Sequence, residues 1–330
     1  MQTNRTTLAS IAQALEISVS TVSKALSDSP EIGVQTKKRV LEYAKANNYT
    51  PNSFASSFRK GTTSTIGLII PNILNPFYAK VLVGVETYLD DNGYKLITSI
   101  SNDLIEKETK NISVMSSGFV DGLIICISKE AEQKKKYQHI KTLLDNGTSI
   151  VMFDRICDEL ECDKVITDDF QAAFDATEFL IKNRGCKHIV ITSKMNNLHH
   201  LNLRQKGFEA AIEKHKSIVK CTVITDERSK GLKQKLKELL KKDTSVDGVF
   251  GLNEKSVLHA ILLTNKLQKE DSNISIAGFC NEMQLKYDAS LIVINQNAKE
   301  IGKEAAKLLL ERIKSKDKTS FRTKTIAVNL

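Results

Sequence analysis

The chain has 330 residues, 41% of them apolar, and a formal net charge of +9; that length accommodates two or three compact units with a sizeable core. No apolar N-terminal segment resembles a signal peptide and no run approaches the ~20 apolar residues of a membrane span, which argues against a membrane protein and leads to the expectation of a cytoplasmic one. The charge is uneven: residues 1–60 hold eight Lys/Arg against four Asp/Glu, a net of +4, while the remainder carries only +5, so the N-terminal segment is the part suited to meet phosphates.

In chain order, the first predicted elements are two short helices within residues 7–26, TLASIAQALEISVSTVSKAL. Leu8, Ile11, Ala12 and Leu15 form an apolar stripe at helical spacing, and Val22 and Leu26 continue one on the second helix. Ser18 is placed to cap the second helix and Thr6 or Thr7 the first. Ala12 is small where two crossing helices would approach closely. Ser20, Thr21, Ser23 and Lys24 supply a polar outer face. A second helix that begins with small hydroxyl residues and carries a lysine can enter the major groove and reach bases and phosphates, so this pair reads as a helix-turn-helix. Residues 50–63, TPNSFASSFRKGTT, then form a polar linker with an apolar centre of Phe54, Ala55 and Phe58. A helix that short is unstable in water until something packs on it.

From Ser64 onward the pattern alternates. Short apolar runs at 66–70, 123–127, 150–153, 188–192 and 274–279 read as buried strands, with helical stretches at 77–92, 135–146, 170–183, 204–215 and 256–267 between them. Such alternation argues an α/β fold with doubly wound parallel sheets, and roughly a dozen strands are too many for one sheet, so two lobes are expected. Residues 230–242, rich in lysine with Leu232, Leu236 and Leu239 at helical spacing, read as a solvated amphipathic helix. The six cysteines are scattered, and the close pair Cys157 and Cys162 lacks CxxC spacing and a nearby histidine, so no metal site or cofactor is implied.

The first segment resembles the DNA-binding portion of the LacI/GalR family of bacterial transcription regulators. Val40, Ala44, Tyr49, Pro51 and Asn52 fit that family's third helix and the start of its hinge, and TSTIGLIIPNILNPFYAKVLVGVE (63–86) resembles the first strand and helix of its ligand-binding core. The resemblance implies an all-α head over 1–50, a hinge over 51–62 and a two-lobed, periplasmic-binding-protein-like core over 63–330. It implies a repressor that binds double-stranded DNA at a pseudo-palindromic operator as a homodimer or a tetramer, with a small carbohydrate-related effector between the lobes. Thr7, Leu8, Ser18, Thr21 and Ser23 match phosphate-contacting or capping positions, and Val19, Ser20 and Lys24 match positions that face base edges. Asn52 and Ala55 match the hinge. Phe58 stands where the family has a wedging leucine, and Ser56 where it usually has arginine.

For the effector, the resemblance implies Phe77 and Tyr78 as an aromatic wall, with Asp154, Arg204 (in an RxxGF segment), Asn253 and Gln296 as polar contacts. One departure is marked. The family commonly shows Gly-Tyr/Phe-Asp-Asp after a late strand, where this chain has Gly278-Phe279-Cys280-Asn281. A thiol cannot replace a carboxylate that accepts two hydroxyls, so either the effector is not a simple hexose or Asn281 and Gln296 take over the polar work. Two alternatives are weighed. A periplasmic-type binding protein without a DNA role would share the core but not the basic head. An enzyme on a doubly wound fold would call for a GxGxxG, P-loop, GxSxG or metal-ligand spacing, none of which the chain carries.

Overall fold

The computed structural model describes residues 6–49, 62–194, 198–226, 228–267, 274–315, 319–328 and 330. The predicted hinge residues Asn52, Ala55, Ser56 and Phe58 lie outside them. The chain divides into two compact units, 1–62 and 63–330.

Among its described residues the first unit holds three helices: α1 (Leu8–Leu15), α2 (Val19–Leu26) and α3 (Val34–Ala46). Thr7 caps α1 by accepting from the Ser10 N–H at 3.1 Å, and Ser10 Oγ accepts from the Thr7 N–H in return, so two otherwise orphaned donors are satisfied together. Ser18 caps α2, accepting from the Thr21 N–H at 3.0 Å. Glu16 ends α1 in the left-handed region, φ 54°, which makes the turn tight. Ile11, Ala12, Val22, Ala25, Val40 and Ala44 form the small core that the stripes predict. Two of its members are alanines on α1 and α2, so these helices can approach closely.

Among its described residues the second unit contains two parallel sheets. In the first lobe β1 (Thr65–Ile70), β2 (Lys95–Ile100), β3 (Gly122–Ile125), β4 (Ser149–Phe153), β5 (Asp163–Thr167) and β11 (Thr323–Ile326) pair in the order β2-β1-β3-β4-β5-β11. In the second, β6 (His188–Lys194), β7 (Lys220–Asp226), β8 (Gly248–Gly251), β9 (Ser275–Phe279) and β10 (Ile292–Ile294) pair in the order β7-β6-β8-β9-β10. Every pairing is parallel. Each sheet reverses its strand order beside its first strand, the place where open α/β sheets leave a crevice at their carboxyl ends.

The helices that position the site are, in the first lobe, α4 (Pro76–Asp91), α5 (Ile105–Ser116), α6 (Lys129–Lys134), α7 (Gln138–Asp145) and α12 (Ala298–Lys314). In the second they are α8 (Asp169–Lys182), α9 (His199–Lys214), α10 (Ser229–Lys242) and α11 (Glu254–Leu267). The chain therefore enters the second lobe after β5 and returns to the first after β10. Ala298, Ile301, Ala305, Ala306 and Leu309 of α12 lie in the same core cluster as Ile66, Leu68 and Val85.

Helices α4 and α12 touch backbone to backbone. A Cβ on Gly84 would stand 2.0 Å from the Lys299 carbonyl oxygen, and one on Gly302 would stand 2.1 Å from that of Val81. Gly302→Ala should therefore lower the stability of this lobe by about 1–3 kcal/mol, the usual cost of overpacking, read as a lower denaturant midpoint. An unchanged midpoint would mean the two helices separate freely.

The apolar strands fall where the sequence places them. Strands β2, β5, β7 and β11, which it did not single out, are richer in polar residues; β2 and β7 are sheet edges with half-solvated faces. Helix α9 starts at His199, five residues before the predicted 204, because its first turn faces the cleft and carries no full apolar stripe.

Candidate functional site

Two surfaces stand out, one on each unit. On the head, Val19, Ser20 and Lys24 are exposed along α2, and Ser23 is half-buried. Thr7 is exposed and Leu8 half-buried at the start of α1. The Ser18 and Thr21 hydroxyls are hydrogen-bonded to one another at 2.8 Å, which rigidifies the first turn of α2. The Lys24 ammonium pairs with Glu31, a partner that base contact would have to replace.

On the core, a cleft of about 590 Å³ opens between the lobes at the carboxyl ends of both sheets. All eight residues singled out for a ligand, Phe77, Tyr78, Asp154, Arg204, Asn253, Cys280, Asn281 and Gln296, border it. So do Lys80, Asp103, Arg155, His200 and Phe279, which the sequence reading missed. Arg155 was legible in principle: it follows Asp154 directly at a strand's end.

The first-lobe wall is a hydrogen-bonded network. Tyr78 donates to Asp154 Oδ2 at 3.1 Å, and Arg155 Nη2 donates to the Tyr78 oxygen at 3.0 Å. Arg155 Nη1 also pairs with Asp103 and reaches the Ile127 carbonyl at 3.2 Å. The expected aromatic wall is thus corrected in part. Tyr78 is buried, with its ring edge-on to Phe77 and Phe153, so it contributes a positioned hydroxyl and not a stacking face. Phe77 remains half-buried at the surface of the cleft. Asp154 adopts a left-handed backbone, φ 60°, which aspartate tolerates better than most residues. Burial pushes its carboxyl up, and Arg155 and Arg204 partly offset that rise.

The second-lobe wall is built around Arg204. Its Nε donates to Asp169 Oδ1 at 2.7 Å and its Nη1 to the Leu252 carbonyl at 2.9 Å, while its guanidinium lies 3.7 Å from the Phe279 ring centroid. Gly207, one turn further along α9, makes this possible. A Cβ there would stand 2.1 Å from the Phe170 carbonyl oxygen, so only glycine lets α9 settle onto α8 and bring Arg204 to Asp169.

The amides are partly committed. Asn253 Oδ1 accepts from the Ser256 N–H at 3.0 Å, and Asn281 Oδ1 accepts from the Met283 N–H at 3.1 Å and from Lys80 at 3.2 Å. What each retains for a ligand is its NH2. Gln296 Nε2 and Arg155 Nε are buried donors without a protein partner, as is His200 Nδ1 in the tautomer that protonates it. Burial and the neighbouring Arg204 and Arg155 hold His200 well below the usual histidine range, so it is a neutral imidazole near pH 7. Burial likewise pushes the Cys280 thiol up to about 12, which keeps it protonated. The cleft therefore offers an aromatic edge, several directed donors and few charges that lack an internal partner. Among the described residues no group of His, Cys, Asp and Glu could hold a metal ion, and no helix is long and apolar enough to cross a membrane.

The sequence profile of "Bacterial regulatory proteins, lacI family" matches residues 7–52, and that of "Periplasmic binding protein domain" matches residues 66–317. The HTH-type transcriptional repressor PurR of Aliivibrio fischeri (strain MJ11) is 30% identical over 325 residues, covering 94% of this chain and 93% of the relative. The chain belongs to the lacI family of bacterial regulatory proteins. As a lacI-family member it is a DNA-binding transcriptional regulator. Its fold is that of the lac repressor dimer bound to operator and the anti-inducer ONPF, with a TM-score of 0.78 at 16% identity over 99% of this chain and 98% of that one. A lacI-family regulator from Enterococcus faecium with bound ribose superposes with a TM-score of 0.65 at 25% identity, covering 80% of this chain and 96% of that one.

Proposed function

We propose that this regulator is a repressor that binds a pseudo-palindromic operator as a homodimer and answers to a carbohydrate-class effector held in the interlobe cleft. Thr7, Leu8, Ser18, Thr21 and Ser23 position the head on phosphates. Val19, Ser20 and Lys24 face base edges, Lys24 donating to guanine and Val19 meeting a thymine methyl. Asn52, Ala55 and Phe58 serve the hinge, with Phe58 as a minor-groove wedge. One head contacts few phosphates, so two heads related by a two-fold axis account for a specific site. The observation that carries the effector half is the convergence of all eight candidate residues on one cleft at the carboxyl ends of two parallel sheets. An uncharged polyol fits its lining: directed amide, imidazole and guanidinium donors beside an aromatic edge, with the arginine charges already answered by Asp103 and Asp169. The relative with bound ribose supports the same class.

Selection from a random-sequence DNA pool, at roughly physiological salt to suppress non-specific phosphate binding, should recover a two-fold symmetric site. Lys24→Ala should weaken binding to that site by about 1–3 kcal/mol and relax preference at one symmetric base-pair position. A uniform loss across all sequences would make Lys24 a phosphate contact instead. Melting the protein against neutral sugars should raise the midpoint for the cognate one. Failure to enrich any DNA, with or without those sugars, would overturn the operator reading.

A further inference from the structure

Helix α9 carries Arg204 into the cleft, yet its own sequence supplies no N-terminal cap. Its N-cap residue is Leu198, whose buried side chain has nothing to accept a hydrogen bond with. The missing acceptor comes from the other lobe. Glu132, on the short helix α6, accepts from the His199 N–H at 2.6 Å through Oε1, and its Oε2 is buried without a hydrogen-bond partner.

The near side of this contact is tied to the cleft. The Lys129 N–H at the start of α6 donates to Asp103 Oδ1 at 3.0 Å, and Asp103 is the partner of Arg155. A second hydrogen bond joins the lobes elsewhere along the cleft, from Lys80 on α4 to Asn281 beyond β9, at 3.2 Å.

We propose that Glu132 is a positioning residue that latches the two lobes: its carboxylate caps α9 only while the cleft is closed, and so couples the Arg155 wall to the Arg204 wall. The latch is shallow by construction. A closed cleft gives Oε1 a charge-assisted partner at a helix N-terminus, where a carboxylate is favoured, but it strands Oε2 away from water. Opening rehydrates the carboxylate and uncaps α9. The two costs oppose one another, which leaves closure easy to bias by a ligand that touches both walls. Burial pushes the Glu132 carboxyl up, consistent with a group that gives up hydration to make this bond.

The test is hydrogen–deuterium exchange on the full chain without added ligand, so it does not depend on the effector's identity and can fail while the effector reading stands. Glu132→Ala should speed exchange at least tenfold in the first turn of α9 and also in residues 279–287, which hold the Asn281 end of the Lys80–Asn281 bond. Glu132→Gln keeps an acceptor and should restore both. Acceleration confined to α9, or none, would overturn the latch and leave Glu132 a local cap at most. Should Glu132→Ala fail to fold, Lys80→Met provides the reciprocal reading: it releases the Lys80–Asn281 bond and should speed exchange at His199–Leu201, and silence there would overturn the proposal equally.

Discussion

Replacing Asp163 by alanine should cost about 3–5 kcal/mol, the range for breaking a buried ion pair by removing one partner. Asp163 is fully buried. Its two oxygens receive Arg312 Nε at 2.8 Å and Nη2 at 2.9 Å, and Oδ1 also receives the Arg322 N–H at 2.8 Å. The Arg312 guanidinium lies over the Phe321 ring and donates to the Ser320 carbonyl. This one carboxylate thus fastens β5 to α12 and to the segment leading into β11. In Asp163→Ala the buried Arg312 guanidinium loses both bonds to this carboxylate and the β11 segment loses its anchor. The expected readout is a large drop in the urea midpoint for unfolding of the first lobe. A drop below about 1 kcal/mol would mean that Arg312 reaches water in the variant, and that the pair contributes little beyond its own desolvation.

Arg204→Ala should be comparably severe, because Asp169 is then left buried beside no cation. The effect reaches beyond the cleft, because Arg204 is 4% exposed and already holds Asp169, the Leu252 carbonyl and the Phe279 ring. The loss should depend on pH with a definite sign. Burial already pushes the Asp169 carboxyl up even with Arg204 beside it. Without Arg204 it rises further. A carboxyl whose folded pKa exceeds its unfolded value stabilises the fold least at high pH, so the gap between wild type and variant should narrow as pH falls from about 8 to about 5. Melting curves across that interval check it, and a gap that widens towards acid would refute the account. Arg204→Lys keeps the charge but not the planar fork. Loss of sugar-induced stabilisation in that variant, with most of its stability kept, would assign the guanidinium to the ligand.

How much of this was legible beforehand depends on the residue types involved. Runs such as IGLII and IVMF are buried on both faces and announce themselves. DKVIT does not, because Asp163 and Lys164 look like loop residues until Arg312, far along the chain, neutralises the first. The caps at Thr7 and Ser18 are local chemistry and could be read from a few neighbours. The cleft is not local. Arg204 and Asn253 lie on one lobe, Tyr78 and Asp154 on the other, and only the reversed strand order beside β1 and β6 turns them towards each other. Residues like Lys80, His200 and Glu132 carried no signal at all, since a lysine, histidine or glutamate on a helix is ordinarily solvated. Their roles exist only across the gap between lobes.

The return of the chain to the first lobe has a consequence for biosynthesis. Residues 169–294 supply strands β6–β10 of the second sheet as one uninterrupted stretch, so that sheet can form as soon as the stretch leaves the ribosome. The first lobe cannot. Leu308, Leu309 and Ile326 belong to the same core cluster as Ile66 and Val85, and they are translated about 240 residues and more after Leu68, on the order of ten to fifty seconds at ordinary elongation rates. Throughout that interval its central strands face water on one side without the helix meant to cover them. The half made first is thus finished last, and it is the half that nascent-chain chaperones would have most reason to hold.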